Sequence, residues 1–452
     1  MNSLLLLIIV AAASLTLHGE QTGRTLRSVQ SNPADAVSVK RFGAMGDGVT
    51  DDTAAIQNGL TIACFSGGNR HLHFPTGTYN ISTSLTTGCA MVITGDSPLS
   101  SIIFMTVHRP SNHGIIANYP LAIQDIAVNT APIMADLGMV AVFRKDTFTP
   151  SAGQNYTFLR YNSNGFNFGI DVAGVGPGPD QIGAVVVQDC TLATSTSSSG
   201  TAVSEPLNVR TAASLTAENN LLIGDGNGDH GIYAIGIRKL LVANNTVQGN
   251  HDSSVKVLTG GFGTGSSTVC DTGQDYQSWT VRDNIIQNSH FAGAFYTYCD
   301  TKVPLIMYTG NRVLNMTDTY LSDGATLIFE PSCSSVMSSI VMSGNVFQNV
   351  TQGGVLIQSS AQFPLGPCPS SALLGTVSTF ASTGDRYINW STLNAGAYFA
   401  ISANGPAANL LRANISQLTV DGQGNGRGAL NLGAFAQVGA VDITETNVSQ
   451  DR

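Results

Sequence analysis

Between Asp225 and Asp300 the sequence gathers side chains that can carry charge and move protons. Tyr233 stands in the middle of Gly231-Ile232-Tyr233-Ala234-Ile235, and Lys256 in the middle of Ser254-Val255-Lys256-Val257-Leu258. If Ile232, Ala234, Val255 and Val257 point inward, period-two alternation turns Tyr233 and Lys256 outward. One coil apart, the two would stand side by side. The same reading turns Tyr296 and Tyr298 outward on the following coil, and Glu330 and Gln358 on later ones. Lys256 is one of five lysines in the chain and falls in a strand-like run. Asp225, Asp229, His230, His251 and Asp252 lie in the turns that enter these runs, and Arg238 follows the first of them.

Such a set suits β-elimination on a uronate. That reaction needs the carboxylate neutralised, the C5 proton removed and the leaving oxygen protonated. Lys, His and Tyr can move protons once neighbours perturb them, and a Ca²⁺ ion or an Arg can neutralise the acid. Lys256 is the expected base, and Tyr233 or His230 the proton donor. Asp225 and Asp229 are the expected ligands of a Ca²⁺ ion, with no cofactor foreseen beyond it. Tyr296, Tyr298, Glu330, His251 and Arg238 are candidate substrate contacts. A plainer reading makes the Tyr-Lys-Tyr ladder a solvated face or a platform for stacking sugars. Asp225-Gly226-Asn227-Gly228-Asp229 likewise reads as a turn, since it lacks the closing Glu of an EF-hand loop.

These residues must be positioned by something repetitive. From about Gly169 short strand-like runs recur: Gly169–Val172, Gly231–Ile235, Ser254–Leu258, Gly293–Tyr298, Ala325–Glu330, Gly353–Gln358, Gly396–Ala400 and Gly428–Leu432. Between several of them comes an Asn followed by apolar residues, as at Asn219-Asn220, Asn244-Asn245, Asp283-Asn284, Gly310-Asn311 and Gly344-Asn345. A unit this small cannot bury its apolar face alone, whereas stacked coils bury a continuous core. An Asn at the same corner of each coil can adopt the left-handed conformation and hydrogen-bond its stacked neighbour. No propeller blade repeat or Trp-Asp signature is present. The pattern therefore predicts an all-β fold, a single-stranded right-handed parallel β-helix.

Composition agrees. Charged residues make up only 11%, but 42% are hydrophobic, which argues against disorder, and turn formers spread among short apolar runs point to many short strands. Few Lys and Arg and a net charge of −9 argue against a nucleic-acid partner. The apolar run Leu4–Ala13 suits a signal peptide and is too short for a membrane span. We therefore expect a signal peptide over 1–20, an irregular leader over 21–36 and one β-helix domain over 37–452, with repetitive coils over 169–445. Seven cysteines fit export. Proximity suggests Cys64–Cys89, Cys270–Cys299 and Cys333–Cys368, with Cys190 left over.

At the start of the domain, Val37–Arg41 reads as a strand. Thr50-Asp51-Asp52-Thr53 then offers caps for a helix with Ile56, Leu60, Ile62 and Ala63 on its apolar stripe, ended by Gly67-Gly68. His71 and His73 alternate with Leu72 and Phe74 and read as structural.

The segment Phe42-Gly43-Ala44-Met45-Gly46-Asp47-Gly48-Val49-Thr50-Asp51-Asp52-Thr53-Ala54-Ala55-Ile56-Gln57, followed by Phe74-Pro75-Thr76-Gly77-Thr78-Tyr79, resembles the opening segment of the pectate-lyase-like superfamily. The likeness covers about forty residues and implies the same β-helix, with the Thr-Asp-Asp-Thr helix capping its N-terminal end. The superfamily's implied substrate is a polysaccharide. Its hydrolase branch uses paired carboxylates in an Asn-Thr-Asp strand and an Asp-Asp pair. Here the only Asp-Asp is Asp51-Asp52 in the cap, and Asp229-His230-Gly231 and Ile237-Arg238-Lys239 are partial echoes in the wrong order. A lyase is thus expected ahead of a hydrolase, which would require Asp252, Asp300 or Glu330 to meet in space. The reading from a different class is a non-catalytic polysaccharide-binding or surface protein on the same solenoid.

Overall fold

The structure is a computed structural model. It describes residues 36–449 apart from 66–69, 108–113, 118, 131–141, 145–153, 174–181, 196–203, 227–228, 251, 263–267, 270–275, 299, 317–324, 333, 352, 359–361, 364–365, 368–374, 390–398, 405–408, 422–427, 432–436 and 445–446. The signal-peptide and leader segments, Gly67-Gly68, His251 and the expected Cys270–Cys299 and Cys333–Cys368 bridges lie outside these residues.

The chain winds as a right-handed parallel β-helix. Each central coil lays one strand into a ten-stranded parallel sheet and two into a 27-stranded one. Thus Ile232–Ile235 lies in the first sheet, and Lys239–Ala243 and Thr246–Gln248 in the second. The next coil returns to the first sheet with Ser253–Leu258. Stacking begins earlier than the sequence echo. Val37 already pairs with Leu72, and His71–Phe74 with Met91–Gly95, in parallel register.

Alternation within the ten-stranded sheet sorts the residues as expected. Leu207, Ile232, Val255, Leu327 and Val355 form one inward row, and Val209, Ala234, Val257, Phe295, Phe329 and Ile357 the next; all are fully buried. β-Branched and aromatic side chains suit this pleated, two-sided packing.

Corners between the two strands of the large sheet carry a continuous buried ladder. The backbone N–H and side-chain amide of Asn220 both donate to Asn245 Oδ1, each at 2.9 Å. Asn245 does the same to Asn284, Asn284 to Asn311, Asn311 to Asn345, and Asn345 to Asp385. The expectation that one Asn would both bond and turn is corrected here. The left-handed conformation belongs to the preceding residue: Asn219, Asn244, Asp283, Gly310, Gly344 and Gly384. Separating the tasks leaves the ladder residue free to face inward.

The helix Thr53–Phe65 packs Ile56, Leu60 and Ala63 against Leu72 in the main core, as a cap should. Asp52 accepts the first helical bond at its carbonyl from Ile56 N–H, while its carboxylate receives Met45 and Gly46 N–H at 2.7 and 3.0 Å. Two expectations fail locally. Ile62 is exposed rather than on the stripe, because the buried face runs through Gly59 instead. Val37–Arg41 is a two-residue strand followed by a 3₁₀ turn, which Ser38 starts by accepting from Lys40 N–H and Gly43 ends at φ 95°. Cys64 and Cys89 form the expected disulfide across the cap, and Cys190 is free and buried. His71 and His73 share Thr94 Oγ1 at 2.8 and 3.0 Å, and so tie successive coils.

Candidate functional site

The outer face of the ten-stranded sheet builds the site. Register stacks Asp171, Asn208, Tyr233 and Lys256 in one outward column over four coils. Tyr233 and Lys256 are therefore direct neighbours, as alternation predicts, with Lys256 Nζ 5.9 Å from the Tyr233 ring centre. The next column holds Arg210, Ile235, Leu258, Tyr296 and Glu330. Arg210 reaches back to Asp171 at 3.4 Å and donates from Nε to Asn208 Oδ1 at 3.1 Å. On later coils the Lys256 column turns apolar, through Ala294, Ile328 and Leu356.

Where the strands begin, a second set of groups converges beneath this face. Ligand atoms of Glu205, Asp229 and His230 all lie within 4.8 Å of one another. The backbone fixes them, since Leu207 N–H donates to Gly231 O and Asp252 N–H to Asp229 O at 2.9 Å, locking three successive coils. Gly231 is required here. A Cβ on it would stand 2.4 Å from Val247 Cγ1 and 2.6 Å from Ser254 O. Asp252 joins both sets, receiving Lys256 Nζ at 3.1 Å and lying 3.4 Å from His230 Nδ1. The His230 ring packs on Tyr233 with centres 4.6 Å apart.

Electrostatics separate the roles. Burial, reinforced by the charge of Lys256, pushes His230 down to about 3, although Asp252 pulls the other way. Lys256 already answers the Asp252 charge, so the imidazole stays neutral at neutral pH. Burial raises Tyr233, helped by Glu205, and so keeps the phenol protonated. Burial also raises Glu205 well above the usual carboxylate range. At Asp252 burial works upward, but Lys256 and His230 outweigh it and the carboxyl is lowered.

The structure thus brings together Tyr233, Lys256, His230, Asp229 and Asp252. It leaves Asp225 outside the close donor group, which pairs Asp229 with Glu205 and His230 instead. A neutral His230 does not supply an imidazolium proton, contrary to one expected role. Tyr296 is half-buried two positions along from the Lys256 column, with Lys256 Nζ 5.9 Å from its ring centre. Tyr298 is buried against Ile235 and Leu258. Glu330 is buried in the second column and receives Gln358 Nε2 at 2.9 Å. Arg238 sits at the corner leading into Lys239–Ala243. Glu205, Asp171, Asn208 and Arg210 are absent from the sequence-based candidates. The signal was present: Ile170 and Val172, like Leu207 and Val209, alternate around Asp171 and Asn208.

No curated protein matches the chain. Among solved structures, the Agl-KA catalytic domain shares the fold with a TM-score of 0.61 and 14% identity, over 92% of this chain and 69% of that one. The mannuronan C-5 epimerase AlgE6 A-module of Azotobacter vinelandii gives 0.56 at 15% identity, over 92% and 100%. The catalytic unit of an α-1,3-glucanase from Streptomyces thermodiastaticus gives 0.56 at 14%, over 92% and 69%. These identities speak for a shared fold. Residues 36–295, more than half of the sequence, match the profile described as rhamnogalacturonase A/epimerase, pectate lyase-like. On that match, and on the β-helix built above, the chain belongs to this family of carbohydrate-active β-helix proteins.

Proposed function

We propose that the protein is an exported enzyme that cleaves a uronate-containing polysaccharide by β-elimination on the outer face around Tyr233 and Lys256. One observation carries the reading: a cation, a carboxylate and a protonated phenol share one partly open patch. Lys256, held by Asp252, carries positive charge where a substrate carboxylate would sit. In this arrangement Lys256 neutralises the uronate instead of acting as the base. Asp252, ionised and partly exposed, takes the C5 proton, and Tyr233 gives its proton to the departing oxygen. Electrons from the broken C5–H bond form the C4–C5 double bond as the C4–O bond breaks. Tyr296, half-buried beside this patch, suits the face of a neighbouring sugar ring. Export rests on the apolar run Leu4–Ala13 and is supported by the Cys64–Cys89 disulfide.

A hydrolase is the second reading, favoured by the opposite shifts of Glu205 and Asp252, a raised and a lowered carboxyl in one site. The test follows ultraviolet absorbance of the new double bond and new reducing ends together, across uronate and neutral polysaccharides. Both signals rising together, and both lost in Lys256→Met, support elimination. Reducing ends without absorbance support hydrolysis. Exchange of the C5 hydrogen with solvent deuterium but no cleavage would make the reaction an epimerisation. Silence in all channels would favour the binding protein.

A further inference from the structure

We propose that Glu205, Asp229 and His230 form a three-donor site for a divalent transition-metal ion of the Zn²⁺ type. The donors come from successive coils and lie within 4.8 Å of one another, against roughly 3–4 Å between ligands of one bound ion, so small side-chain movements close the shell. Glu205 is 2% exposed, and its Oε2 has no hydrogen-bond partner among the described residues, which leaves a buried acceptor open to a ligand.

The imidazole selects the metal. Ca²⁺ takes six to eight oxygens, whereas a nitrogen and two carboxylates with open positions suit zinc-like ions. The site extends the proposed reaction centre, because His230 packs on Tyr233 and stands beside Asp252. Its existence does not depend on which reaction occurs there.

The experiment uses the full-length chain without a histidine tag, stripped with chelator and titrated with ZnCl₂ or CaCl₂ by calorimetry, with metal content measured after dialysis. One equivalent of Zn²⁺ should be retained, with Ca²⁺ binding at least about tenfold more weakly. Glu205→Gln and Asp229→Asn should each weaken Zn²⁺ by at least about tenfold, while Asp225→Asn leaves it unchanged. Asp229 is only half-buried, so its variant decides the matter if Glu205→Gln does not fold. Absence of a saturable site, a preference for Ca²⁺, or Zn²⁺ affinity unchanged in Asp229→Asn would each overturn the site. Because no substrate is present, failure here leaves the elimination test intact. Zn²⁺ binding by a protein that shows no elimination would sink only the proposed reaction.

Discussion

At the scale of the residue, Asp252 joins the groups on the open face to those beneath it. It holds Lys256 and lies against His230, so the variants at this point should differ in kind. Lys256→Met and Tyr233→Phe should each lower kcat by about 10²–10⁴-fold with the fold preserved, read by circular dichroism beside the absorbance assay. Retention of full activity in Tyr233→Phe would remove the phenol from the reaction. Gly231→Ala tests positioning. Its methyl collides with Ser254 O and Val247, so it should cost about 1–3 kcal/mol in denaturant unfolding as well as activity.

At the scale of the element, the asparagine ladder and the cap set stability. Asn284→Ala removes the acceptor of Asn245 and the donor to Val242 O and Asn311 Oδ1, so it should cost about 2–4 kcal/mol. Asp385 ends the ladder, where burial raises its carboxyl above 3.8 against the hydrogen bonds from Ser382 and Asn345. The folded chain then holds this proton more tightly than the unfolded one. Its stabilising contribution is full below the unfolded value and is lost as pH rises through the folded one. Asp385→Asn should therefore raise the melting temperature at neutral pH, with the gain fading as the solution is acidified. At the cap, Cys64 and Cys89 close a loop with a sequence separation of 25, so the Cys64→Ala, Cys89→Ala pair should lose about 3 kcal/mol.

For the whole molecule, each coil touches chiefly its neighbours, so protection should be greatest where a coil has partners on both sides. Val441 and Ile443, in the strand Gln437–Thr444, and Leu411 of the strand beside it are exposed. Hydrogen exchange followed by mass spectrometry should therefore show the amides of Gln437–Thr444 exchanging well before those of Ser253–Leu258. Equal protection in both would contradict a stack that opens from its end.

Local periodicity was enough for the coil. Strand alternation placed Tyr233 and Lys256 outward, recurrent Asn marked a corner, and Asp51-Asp52 announced the cap helix, because each depends on residues within a few positions. The same rule, applied to Asp171 and Asn208, would have extended the outward column by two coils. What alternation alone cannot supply is the offset between coils of unequal length. Only the stacked register decided that Tyr296 stands beside Leu258 instead of Lys256. It also set Glu205 against Asp229 and His230, which come together through the stacking of separate coils. Burial, likewise a property of the stack, decided that His230 is neutral and Tyr233 protonated.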